Sequence, residues 1–175
     1  MNSAFAWLSD LISLIGSFFP RLLVVHWDEI AILWVLGKKP ITKEPGWYLY
    51  FPFKTTGMKV NMQRRTMVLS TGPMTTSDNQ IVLCGATVIY KVKDAWVHLV
   101  ENENVDDQMD EVALAALCRY VEAHRYKEIA SNTEEMSQSL TELVQNSLSL
   151  FGVEVIEVSI NSFAQTFVVT ISGWD

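Results

Sequence analysis

Twelve consecutive residues, 81–92, constrain the fold more than any other stretch. Val82, Cys84, Ala86, Val88, Tyr90 and Val92 fall at every second position, so they share one face of a long strand. From Asp94 onward the period changes to that of a helix. Over residues 106–127 the stripe is Met109, Val112, Ala113, Ala116, Leu117, Tyr120 and Val121. Asp106, Asp107, Asp110 and Glu111 stand in its first turns, where the helix dipole favours acids. Ser131 and Glu134 have the spacing of a capping box. A second amphipathic helix follows them, striped by Met136, Leu140, Leu143, Val144, Leu148 and Phe151 and ended by Gly152. Two more strands are expected at 153–160 and 166–172. A long strand followed by helices that can layer on it predicts an α+β chain.

Upstream the pattern is mostly β. Residues 29–36, EIAILWVL, read as a strand closed by the turn Gly37-Lys38-Lys39-Pro40. A second turn, Glu44-Pro45-Gly46, leads into Trp47-Tyr48-Leu49-Tyr50-Phe51-Pro52-Phe53. That run is too aromatic and too proline-flanked for a helix, so it is extended or an apolar loop. Residues 58–69 alternate as one strand. The chain has 175 residues and is 49% hydrophobic, with a mean hydropathy of +0.17. These values suit one domain or two small subdomains and exclude a disordered chain.

Residues 4–19, AFAWLSDLISLIGSFF, form an apolar segment stopped by Pro20. On a helical wheel Ser3, Ser9, Asp10, Ser13 and Ser17 make a narrow polar stripe. Phe5, Trp7, Leu8, Leu11, Ile12, Leu14, Ile15, Phe18 and Phe19 fill the rest, and these are the candidate membrane-inserting residues. About 17 helical residues cover roughly 25 Å, less than the roughly 30 Å hydrocarbon core. A helix lying in one leaflet is therefore the expectation. A core helix and a span in a thinned bilayer are its alternatives. Asp10 and the missing basic start argue against a secretory signal, and Asn2 excludes myristoylation.

The net charge of −7 is unevenly laid out. Residues 21–65 carry eight basic side chains against three acidic ones, whereas 66–175 carry five against sixteen. The basic block follows the apolar segment, where each cation near an anionic leaflet contributes about 1 kcal/mol. Arg21, Lys38, Lys39 and Lys54 are the candidate headgroup contacts. By the same charge rule, a spanning segment would keep the basic region on the cytoplasmic face. The acidic second half makes nucleic acid a poor partner.

Little in the sequence speaks of chemistry. Cys84 and Cys118 are far apart and lack metal-site or disulfide-framework spacing. Cys84 reads as a small core residue. His26, His98 and His124 sit in separate elements. The acidic run from Glu101 to Glu111 lacks the ligand alternation and glycine of a calcium loop. No phosphate-binding loop, dinucleotide fingerprint, nucleophile elbow or zinc-protease motif occurs, so no cofactor, metal site or catalytic residue is expected.

Several stretches, in order, resemble the stomatin/prohibitin/flotillin/HflK-HflC superfamily, the SPFH or band 7 domain. They are WDEIAILWVLGKKP, EPGWYLYFPF, the long VNMQRRTMVLSTGPMTTSDNQIVLCGATVIYKVKDAW, ALAALCRYVEAHRYKEI and FGVEVIEVSIN, spread over residues 26–165. The resemblance implies an α+β SPFH domain of two subdomains, a β-rich one at 26–95 and an α/β one at 96–165. The membrane-inserted helix, 1–25, would precede them, and a short strand-like tail, 166–175, would follow. Typical members continue into an Ala/Glu-rich coiled coil, which this sequence does not show before Asp175.

The resemblance further implies a non-catalytic scaffold subunit, membrane-associated on the cytoplasmic face. Such subunits assemble side by side into a ring or cage around membrane lipid and membrane proteins, proteases among them. Membrane lipid, other copies of the chain and a membrane-protein client are thus the expected partners. Trp47, Tyr48, Tyr50, Phe51 and Phe53 would dip into the interface, their alternative being to pack under the sheet. Two other functions fit the sequence less closely. One is a modulator or inhibitor, virus-encoded in one version, that binds a host membrane protease or SPFH complex. The other is an enzyme using a cysteine nucleophile.

Overall fold

The computed structural model describes residues 19–131 and 134–166. The N-terminal candidates Phe5 to Phe18 lie outside them, as does most of the strand expected at 166–172. Among the described residues nine strands, β1 (Arg21–Val25), β2 (Glu29–Val35), β3 (Ile41–Lys43), β4 (Gly46–Tyr50), β5 (Thr55–Asn61), β6 (Arg64–Val68), β7 (Gly72–Thr75), β8 (Ile81–Val92) and β9 (Val153–Gln165), build three sheets. Between β8 and β9 lie a π-helical turn (Val97–Glu101), then α1 (Val105–Ala123), α2 (Tyr126–Ser131) and α3 (Glu134–Leu148), and a short 3-10 turn at Ser149–Phe151.

Residues 21–25 were expected to belong with the N-terminal helix, but they form β1, antiparallel to β4. Pro20 is the physical reason: it lacks an N–H and cannot sit inside a continuing helix. Beside this two-stranded sheet lies the sheet β3-β2-β5. Its central strand buries three successive residues, Ala31, Ile32 and Leu33, which requires cover on both faces. Leu33 comes so close at Gly57 that a Cβ there would stand 2.8 Å from its Cδ2, and Leu23 of β1 closes from 4.0 Å.

The third sheet is organised by β8. Residues 87–91 pair with β6 and 81–84 with β7, while β9 runs antiparallel along its whole other side. Val82, Cys84, Ala86, Val88, Tyr90 and Val92 are all buried, as their alternation predicts. The boundary expected at 95/96 falls between β8 and β9, which are adjacent strands of one sheet. Met109, Ala113, Ala116, Leu117, Tyr120 and Val121 of α1 and Leu140, Val144 and Leu148 of α3 pack on that sheet.

Four local expectations are corrected. The strand read at 58–69 is two, in different sheets, because the Asn61 side chain accepts the Gln63 N–H (2.7 Å) and turns the chain. The helix read at 106–127 breaks at His124, whose carbonyl is taken by Ser77 N–H while Asp78 accepts the Tyr126 N–H. Ser131 ends α2 and donates its hydroxyl to the Glu128 carbonyl (2.6 Å), so its side chain turns back along its own helix. The strand read at 153–160 continues to Gln165 through two irregularities, one opposite Gly85/Ala86 and one opposite Ile89/Tyr90. Gly85 is needed there: a Cβ would meet Thr71 Oγ1 at 2.5 Å and Ser162 Oγ at 2.7 Å.

Candidate membrane-docking face

β1 and β4 run in a fixed register, with Leu22 opposite Leu49 and Val24 opposite Trp47. Strand alternation puts these four, and Phe51 just beyond β4, on one face. Arg21, Leu23, Val25, Tyr48 and Tyr50 belong to the other face. The first face is open except at half-buried Val24: Trp47 is 78% exposed, Leu49 67%, Leu22 57% and Phe51 47%. On the second face Leu23, Tyr48 and Tyr50 are half-buried and Val25 is buried.

The five aromatic residues proposed as one interface are therefore divided. Trp47 and Phe51 stand on the open face, and Phe53 is exposed beside it, its ring 6.0 Å from that of Phe51. Tyr48 is held inward: its hydroxyl donates to the Glu44 carbonyl (2.9 Å) and Lys43 Nζ lies 5.0 Å from its ring centre. Tyr50 pairs with Arg21 on the same inner side. Leu22 and Leu49 were not among the proposed interface residues. The alternation of Trp47, Leu49 and Phe51 with two tyrosines was the signal that would have found Leu49.

At one end of this face the chain arrives from its apolar N-terminal segment. Phe19, the last of the candidate inserting residues, is exposed there. Phe51, Phe53 and Lys54 follow from the end of β4, and Leu36 and Lys38 from the end of β2. A cleft of about 260 Å³ brings Lys38 and Lys54 together with Leu36, Pro52 and Phe53. The Leu36 N–H donates to the Lys54 carbonyl (2.8 Å), which ties the two turns together. Lys39, next to Lys38 in the chain, is exposed. Arg21 is exposed on the opposite side of β1 from Leu22. Among the described residues none of these four cations has a carboxylate partner.

Further along, Lys59 ties the two small sheets. Its ammonium donates to the Val24 carbonyl of β1 and pairs with Glu29 of β2 (3.1 Å). The Glu29 carboxylate also accepts the His26 N–H (3.2 Å) and meets the His26 ring. These bonds, the His26 backbone first and Lys59 next, hold its pKa down at about 2.

Among the described residues the cysteines and the other two histidines lie apart from this face. Burial pushes the Cys84 thiol up to about 11 and raises Cys118 as well, the opposite of an activated thiolate. His98 is buried with Nδ1 against the Phe151 carbonyl (3.2 Å), and burial lowers its pKa. His124 Nδ1 lies 2.7 Å from the Tyr120 carbonyl within its own helix end. Asp106 and Asp107 line an open cleft of about 350 Å³ together with His98, Asn102 and Met58. Among the described residues no helix is long and apolar enough to cross a membrane.

Comparison with known proteins agrees with this architecture. The chain is similar to an uncharacterized protein of Methanocaldococcus jannaschii, 23% identical over 156 residues that cover 88% of this chain and 78% of that one. Residues 23–167 match the family described as SPFH domain / Band 7 family, a span that starts within β1 and runs through β9. The chain belongs to the SPFH domain / Band 7 family.

Proposed function

We propose that this chain is a non-catalytic scaffold subunit that sits on the cytoplasmic face of a membrane. It docks through the outer face of β1 and β4 and assembles with further copies into a ring or cage-like array. The observation that carries the reading is the open row Leu22, Trp47, Leu49 and Phe51 on paired strands, beside the point where the apolar N-terminal segment joins. A two-stranded sheet needs one apolar face for the core, and its outer face is ordinarily polar. Here the outer face offers large apolar side chains, each gaining about 1 kcal/mol or more when moved out of water. Lys38 and Lys54 lie next to it, as attraction to anionic headgroups requires. Membership of the SPFH / Band 7 family supports the same reading. Lipid and the membrane proteins fenced by the array are then its partners, and no step of the function needs a nucleophile.

The test is reconstitution of the full chain into lipid discs, followed by particle imaging and mass measurement. Uniform particles containing many subunits, with the β1–β4 face against lipid, are expected. Monodisperse monomers, or particles that remain in the aqueous phase away from lipid, would contradict the proposal.

A further inference from the structure

The two halves of β9 differ in what lies along the edge away from β8. Over the first half, α3 takes the place of a neighbouring strand. Ser137, Thr141 and Gln145 are four residues apart and so share one helix face. Ser137 donates its hydroxyl to the Val158 carbonyl (3.1 Å), and the Val158 N–H donates to Thr141 Oγ1 (3.1 Å). The Val155 N–H donates to Gln145 Oε1 (2.6 Å), while the Gln145 amide reaches the Val153 carbonyl (3.4 Å). Unpaired strand-edge groups are thereby occupied.

From Ile160 onward no described residue does this. Thr166 donates its N–H to the Ile81 carbonyl (3.0 Å), on the β8 side. Alternation along an antiparallel ladder therefore turns the main-chain groups of Phe163 and Gln165 to the open side. Beside that open edge a cleft of about 190 Å³ lies between α2 and β9, lined by Tyr126, Ile129, Ala130, Ile160 and Phe163.

The sequence that follows β9 fits such an edge. In Thr166-Phe167-Val168-Val169-Thr170-Ile171-Ser172, Phe167, Val169 and Ile171 fall at period two, with polar residues on most of the other positions. β8 begins at Ile81, already opposite Thr166, so its strand ends where this sequence starts. Two-residue hairpin turns call for Gly, Asn or Asp at positive φ, and Gln165-Thr166-Phe167 has none.

We propose that residues 167–172 of one copy add as a strand to the open edge of β9, residues 160–165, in a second copy. Phe167, Val169 and Ile171 then lie on the side of the Tyr126–Phe163 cleft. Main-chain hydrogen bonds hold the added strand and the cleft selects its side chains. Donor segment and acceptor edge are different surfaces, so the contact is head-to-tail and, repeated, closes a ring when its rotation permits. This inference rests on the reading that copies of the chain assemble, and it names the contact.

The test compares the full chain with a Val169→Pro/Thr170→Pro variant, both in lipid discs. Two adjacent prolines remove an N–H at each parity of the strand. The expected result is at least a tenfold weaker self-association with an unchanged melting temperature. A labelled peptide of residues 166–175 should also bind the variant, whose open edge is unfilled, and not bind the assembled full chain. If the variant assembles as the full chain does, or leaves the peptide unbound, the proposal is overturned while the scaffold reading stands. If the full chain is itself monomeric, both fall. Recovery of the peptide on an unrelated protein only would likewise overturn it.

Discussion

The region from β1 to β5 and the region from β6 to β9 are both rich in apolar residues, and they place them differently. In the second region the strand β8 and the helices α1 and α3 bury their apolar stripes, down to Leu117, Val144 and Val158 at 0% exposure. In the first, β2 is buried but β1 and β4 turn Leu22, Trp47 and Leu49 outward. The second region thus buries its stripes in a core to which the first contributes Ile32 and Val60. The first needs an outside apolar neighbour to use what it displays. Contiguous exposed apolar surface marks an interaction site, whereas single exposed residues such as Val68 or Leu150 need no explanation.

Three variants test that contrast. Leu117→Ala, in the buried stripe of α1, should cost about 2–5 kcal/mol, because it removes transfer energy and leaves a cavity. Chemical denaturation measures it, and a change under 1 kcal/mol would mean that this core is not closed. The double change Trp47→Ser/Leu49→Ser should leave unfolding within about 0.5 kcal/mol, as surface positions do. It should weaken binding to anionic vesicles about tenfold or more in flotation assays. A large loss of stability with unchanged vesicle binding would put these residues in a core instead.

The smallest effect is expected at Glu29→Gln, which loosens the tie between the two small sheets. The Glu29 carboxylate is held below its ordinary 4.5, at about 2, in the folded chain. Its contribution is therefore full above about pH 4.5 and is lost as pH falls toward 2. Wild-type melting temperature should decline more steeply than the variant's across that window. Parallel curves would show that the Lys59–Glu29 contact carries no stability.

How much of this could be read from residues alone depended on whether one element served one environment. The strand at 81–92 and the stripes of α1 and α3 were legible because each faces a single core, so period and burial coincide. The α+β class and the SPFH / Band 7 resemblance followed from them and from the order of motifs. The break at His124 was not legible, because it is made by Ser77 and Asp78 from a distant turn. Neither were the irregularities of β9, where an extra residue shifts the alternation without a proline to mark it. Of the docking face, the aromatic run and the lysines of two turns were visible. Its division into an outer Trp47–Leu49–Phe51 row and an inner tyrosine pair needed the β1–β4 register.

In the proposed docking the outer face of β1 and β4 meets lipid. The most direct test is the depth of single nitroxide labels on the vesicle-bound full chain. One label replaces Leu49 and the other Gln138 on the exposed side of α3, in a Cys118→Ala background with Cys84 buried. Binding should shield the label at Leu49 from a water-soluble relaxation agent and expose it to oxygen, while the one at Gln138 is unchanged. Equal water accessibility at Leu49 before and after binding would contradict it.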